Sequence, residues 1–172
     1  MESKKIIKYF LTAMCCIWKS KINYKLAHQK KEVLVTHNWG SNRAISIRDI
    51  ISAWRNEGYE IFQAALDFIK TLDGITFKYP SKSGESEDES CFDSILTTKG
   101  FDLLWAIEVY EPLIEKKLLP IGQGYSRHLI YLMSNDGAVY GGYDDFFCEI
   151  GSDICKAMEN IICNKEFITI NS

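Results

Sequence analysis

A chain of 172 residues with 47% hydrophobic and 13% aromatic side chains can fill one packed core and is far from a disordered composition. Its net charge of −3 hides an uneven distribution: residues 1–31 hold eight lysines against Glu2, which leaves twelve basic and 22 acidic side chains, a net of −10, in the remainder. A body of that sign repels nucleic acid and attracts basic partners, and neither the six cysteines nor the three scattered histidines show the two-residue spacing of a zinc or redox motif.

The first stretch, residues 1–32, reads as a lysine-rich, helical N-terminal extension. Its apolar run Ile6–Trp18 is interrupted by Lys8, is followed by lysines instead of a small-residue cleavage site, and is too short to cross a bilayer. A packed or amphipathic helix in a cytoplasmic protein, without stable membrane insertion, is the expectation. Residues 33–172 form the main domain. Ser46-Ile47-Arg48-Asp49 is a capping box opening a helix whose Ile47, Ile50, Ile51 and Trp54 share a face, and Gly58 ends it. A second helix is predicted from Ile61 to Leu72, with Gly74 as a left-handed terminator. Thr76–Tyr79 reads as a strand.

Ser81–Ser90 (SKSGESEDES) is small and acidic, and predicts a mobile surface loop, with a short strand beyond it at Phe92–Leu96. From Phe101 to Leu118 the pattern is helical again, with Trp105 on its apolar face and a break expected near Glu111 because of Pro112. Strands follow at Leu118–Gly122 and His128–Met133. Asn135-Asp136-Gly137 supplies a turn, and Ala138-Val139-Tyr140 returns as a hairpin. Gly141-Gly142 predicts a bend before a strand at Phe146–Ile150, and Ser152 predicts the cap of a closing helix carrying Ile154, Met158, Ile161 and Ile162 inward. Helices, a mainly antiparallel sheet and a closing helix make an α+β domain, the sheet flanked by helices.

No arrangement of these residues assembles an active site. Gly122-Gln123-Gly124 lacks the third glycine and the Lys-Ser/Thr of a phosphate loop. Asp144, Asp145, Glu149 and Asp153 lack the alternating ligands and mid-loop glycine of a calcium loop. Cys155 and Cys163 sit in an apolar helix without a neighbouring base and read as buried core thiols, and His128 reads as a packed strand-entry residue. No enzyme activity, cofactor or metal is expected. A small hydrolase built on His128 is the weaker alternative.

The order of segments resembles the third family of the SUKH superfamily of bacterial immunity proteins. The resemblance rests on Trp39-Gly40-Ser41-Asn42-Arg43 before the first helix, then Glu57-Gly58-Tyr59, then Ala64–Ile69 ending in Leu72-Asp73-Gly74. It continues through Trp105, Leu119-Pro120-Ile121-Gly122, the hairpin Met133–Tyr140 and Glu149-Ile150-Gly151-Ser152. The family usually has paired glycines where this chain has Asp73-Gly74. The resemblance implies a non-catalytic protein that binds and neutralises a cognate polymorphic toxin, such as a nuclease, delivered by neighbouring bacteria. An adaptor of the same fold with an endogenous partner is the other reading. Candidate contacts are Glu85, Glu87, Asp88 and Glu89 in the acidic stretch, with Tyr125, Tyr143, Asp144 and Asp145 near the strand bends.

Overall fold

The computed structural model describes residues 34–37 and 46–171, so the N-terminal extension and Trp39 lie outside the described residues. Its strands follow chain order in one eight-stranded antiparallel sheet, β1 to β8. β1 (Leu34–His37) pairs with β2 (Ile75–Pro80), and between them in sequence lie α1 (Ile47–Glu57) and α2 (Gln63–Thr71). The capping box forms as expected: Ser46 Oγ accepts from Asp49 N, while Asp49 Oδ2 accepts from Ser46 N. Gly58 ends α1 at φ 93°, a conformation a side chain would strain.

β3 (Glu87–Phe92) corrects the expectation of a mobile loop at Ser81–Ser90. Only Ser81–Ser86 form a turn, knitted by contacts among Ser81, Ser83 and Ser86, and Glu87–Ser90 pair with Pro80–Phe77. Ser90 is fully buried, with Oγ 2.7 Å from the Tyr131 hydroxyl and 3.1 Å from that of Tyr79. The expected strand at Phe92–Leu96 is also corrected. Asp93 accepts from Leu96 N and so caps a helix, α3 (Ser94–Gly100).

Helix α4 runs without interruption from Leu103 to Ile114, so the break expected near Glu111 is absent. Its middle, Ala106–Tyr110, winds as a π turn, with Glu111 N donating to Ala106 O five residues back. The wider turn accommodates the donor and the space that Pro112 removes.

β4 (Leu118–Gly124), β5 (Leu129–Ser134), β6 (Val139–Tyr143) and β7 (Phe146–Gly151) complete a meander, with a bulge in β4 between Pro120 and Gly122. The α1 side chain Trp54 donates from Nε1 to Pro120 O there, at 3.2 Å. Turn Asn135-Asp136-Gly137 joins β5 to β6 as expected, with Gly137 at φ 90°. Gly141 and Gly142 do not bend the chain; both lie inside β6. A Cβ on Gly142 would come within 2.5 Å of the Tyr110 ring, so the glycine permits close packing of α4 on the sheet. The closing helix α5 (Ile154–Ile162) is capped by Asp153, not Ser152, and leads to an unforeseen edge strand, β8 (Ile168–Asn171).

Alternation divides the sheet into two faces. Ile75, Phe77, Tyr79, Phe92, Ile121, Tyr131, Met133, Cys148 and Ile150 pack against α1, α2 and α5 in the larger core. On the opposite face, α4 packs over β5–β7, where Leu132, Tyr140 and Phe147 surround Tyr110, with Leu118 at the start of β4 and Ile170 of β8 at the margins. The same face of β2–β4 carries Thr76, Lys78, Glu89, Cys91 and Gln123, and none of these is buried. Cys155 and Cys163 are half-buried instead of core thiols, because they lie off the inward stripe of α5 formed by Ala157, Met158, Ile161 and Ile162.

Candidate partner-binding site

An ordered antiparallel meander sends alternate turns to opposite ends. The β2–β3, β4–β5 and β6–β7 turns therefore share one end, and the Asn135–Gly137 turn lies at the other. At about 4.8 Å per strand, the first and third of these turns are roughly 20 Å apart along the sheet. All eight residues nominated from the sequence lie at this end or on the strand residues leading into it.

They do not form one cluster. Glu85 is exposed at the tip of the first turn, held by its N–H to Ser83 Oγ. Glu87 and Glu89 point to the open face, where Glu89 pairs with Lys78 at 3.6 Å. Asp88 shares the side of its register partner Tyr79 and is half-buried. Tyr125 is less a surface residue than a rim of the core: its ring meets Tyr79 and Phe167 edge-on, and burial pushes its hydroxyl pKa well up. Tyr125, Ser126 and Arg127 all have positive φ, which turns the next side chains, Arg127 and His128, outward.

The third turn is fastened through its backbone. Asp144 O accepts from Trp105 Nε1 at 3.1 Å and from the Tyr110 hydroxyl at 2.7 Å, and Asp145 O accepts from Asn171 Nδ2. Burial is the main cause pushing the Tyr110 hydroxyl up to about 12, so it stays a donor at physiological pH. With their carbonyls engaged, the carboxylates of Asp144 and Asp145 face outward, without an ion-pair partner among the described residues. Tyr143 is 51% exposed, its ring set edge-on to His128.

Between α4 and these turns lies a groove of about 280 Å³, walled by Trp105, Phe101, Tyr143 and His128, with Asp102, Asp144 and Arg127 at its rim. A second hollow, about 510 Å³, opens over the uncovered sheet face between Glu89, Gln123 and Leu96, and Arg127 lines both. Sequence reasoning missed the contribution of α4. The apolar pattern places Trp105 on the inward face of this helix, but it is 37% exposed and forms a groove wall. Its neighbours Ala106 and Tyr110 are the inward residues. No cluster of three or more metal-ligating side chains occurs among the described residues, and no helix among them is long and apolar enough to cross a membrane.

A single antiparallel sheet flanked by helices, with acids at one end and an aromatic groove beside α4, defines an α+β domain. The chain belongs to the SUKH-3 immunity protein family, whose pattern it matches over residues 27–164. No curated protein and no solved structure matches it.

Proposed function

We propose that this chain is a cytoplasmic immunity protein that neutralises one cognate toxin by binding it and covering its active or substrate-binding face, without chemistry of its own. The observation that carries this reading is that Glu85, Glu87, Asp88, Asp144 and Asp145, with exposed Tyr143, all lie along the same end of the sheet. Acidic groups held in advance by turns speed capture of a basic surface such as that of a nuclease, whose own substrate is anionic. Family membership supports the same reading, since it is one of immunity proteins.

The test is co-expression with the C-terminal domain of each large secreted protein found encoded in the immediate locus of this chain. Restored growth and co-purification of the two chains support the reading. Growth arrest despite abundant folded chain, with no co-purification, would defeat it.

A further inference from the structure

Helices packed on a sheet ordinarily turn polar side chains to water. In this molecule α1 exposes Arg48, Asp49, Ser52, Arg55, Asn56 and Glu57, and α2 exposes Gln63, Asp67, Lys70 and Thr71. Helix α4 departs from that rule. Leu104 is 59% exposed and Ile107 39%, three residues apart on one face, beside the groove wall Trp105. The inward packing of the helix is made by Ala106, Val109, Tyr110 and Ile114, and Leu104 and Ile107 belong to neither core cluster.

The stripe is framed by acids. Asp102, Glu108, Asp144 and Asp145 surround its N-terminal half, and none has an ion-pair partner among the described residues. Among the described residues, the cation lining the groove beside it is Arg127. An apolar centre containing Trp within a charged, solvated rim is the anatomy of an interface. The rim's sign specifies what fits: a surface with an apolar projection ringed by lysine or arginine.

We infer that α4, through Leu104, Trp105 and Ile107, is the apolar anchor of the toxin interface, and that the toxin meets it with an apolar, basic-rimmed surface. This rests on the immunity reading above and deepens it. The stripe is continuous with the acidic end through Trp105, whose indole is bonded to the β6–β7 turn. The acids there govern the approach of the toxin, while the stripe governs its release.

The test uses the full chain and the purified toxin domain that the co-expression experiment identifies, with binding followed by surface plasmon resonance. The double variant Leu104→Ala/Ile107→Ala is expected to weaken binding about thirtyfold or more, chiefly in dissociation rate, with an unchanged melting temperature. Leu96→Ala, exposed on α3, is expected to bind as the wild type does. Wild-type binding that the double variant retains overturns the inference and leaves the immunity reading standing. Failure of the wild-type chain to bind removes both. A marked fall in melting temperature for the double variant means the chain's own residues cover the stripe. Sedimentation of the free chain as a dimer that the variant dissociates means a second copy does. Either result overturns the assignment.

Discussion

The Tyr110 hydroxyl donates to the Asp144 carbonyl at 2.7 Å, joining the π turn of α4 to the β6–β7 turn. The same ring stacks on Phe147 at 4.4 Å and lies over Gly142. One side chain thus seats the helix and fixes the turn that presents Asp144 and Asp145. Tyr110→Phe keeps the stack and removes the bond, and about 1 kcal/mol of stability is expected to go with it. Gly142→Ala drives a methyl into the ring and is expected to cost about 1–3 kcal/mol. Urea unfolding measures both; an alanine variant as stable as the wild type would show that α4 does not sit this close.

Ser90 bridges two buried tyrosine hydroxyls, those of Tyr79 and Tyr131. Burial pushes the pKa of each phenol up, so both are neutral and each needs a partner. Ser90→Ala leaves a void and a poorly satisfied pair, for an expected loss of about 1–3 kcal/mol. Ser90→Gly adds strand entropy to that loss. Calorimetric melting temperatures close to wild type for both variants would contradict the bridge.

These two sites explain what could be read in the sequence. Where one face is buried and the other wet, the apolar period is visible, as in Ile75-Thr76-Phe77-Lys78-Tyr79 and in the inward face of α1. β3 lacked that signal because its open face carries Glu87 and Glu89, while its inward Ser90 is buried through hydroxyl bonds, not apolar contact. β8 was missed because Ile168 and Thr169 are exposed on a short edge strand. In α4 the π turn inserts a residue into the helical period, so a pattern written at 3.6 residues per turn assigned Trp105 to the wrong side. The turns nominated as contacts were legible from their acids. The groove was not, because it exists only where α4 meets the β4–β5 and β6–β7 turns, which lie beyond it in sequence and meet it only in the fold.

Asp136, in the β5–β6 turn, pairs with Lys116 at 2.8 Å and accepts from Ser134 Oγ. The Lys116 ammonium, then the Ser134 hydroxyl, hold its carboxyl down to about 2. A carboxyl whose folded pKa lies below its unfolded value stabilises fully above about pH 4, and that contribution fades as pH falls through about 2. The carboxylate is half exposed, so solvent screening limits the effect to about 1 kcal/mol or less. Asp136→Asn is therefore expected to lower the urea midpoint slightly at pH 7, with the difference closing between pH 4 and pH 2. A gap that stays constant over that range would rule out the ion pair as its source.

Cys148 is fully buried in β7, and burial pushes its thiol up to about 12. Thiolate is the reactive form, and at pH 8 it is on the order of 10⁻⁴ of this group. Iodoacetamide at pH 8 is expected to leave Cys148 unmodified in the folded chain and to modify it in 6 M guanidinium, as read by peptide mass mapping. Labelling in the native state at the unfolded rate would place this strand at the surface.

The acids of the β6–β7 turn offer a test of function separable from stability. Asp144 and Asp145 hold the turn by their carbonyls, so changing their side chains leaves the bonds to Trp105, Tyr110 and Asn171 in place. Asp144 has φ 46°, a conformation asparagine also tolerates, so Asp144→Asn/Asp145→Asn keeps the backbone unstrained. Under the proposed function, removing two charges from this turn is expected to slow association with the toxin domain by about tenfold at low salt, with dissociation little changed. The difference should shrink as ionic strength rises and the Debye length falls below about 8 Å. Stopped-flow association at 20 and 300 mM salt makes the comparison. Equal rates for the wild type and the double variant at low salt would place the toxin on some other part of the molecule.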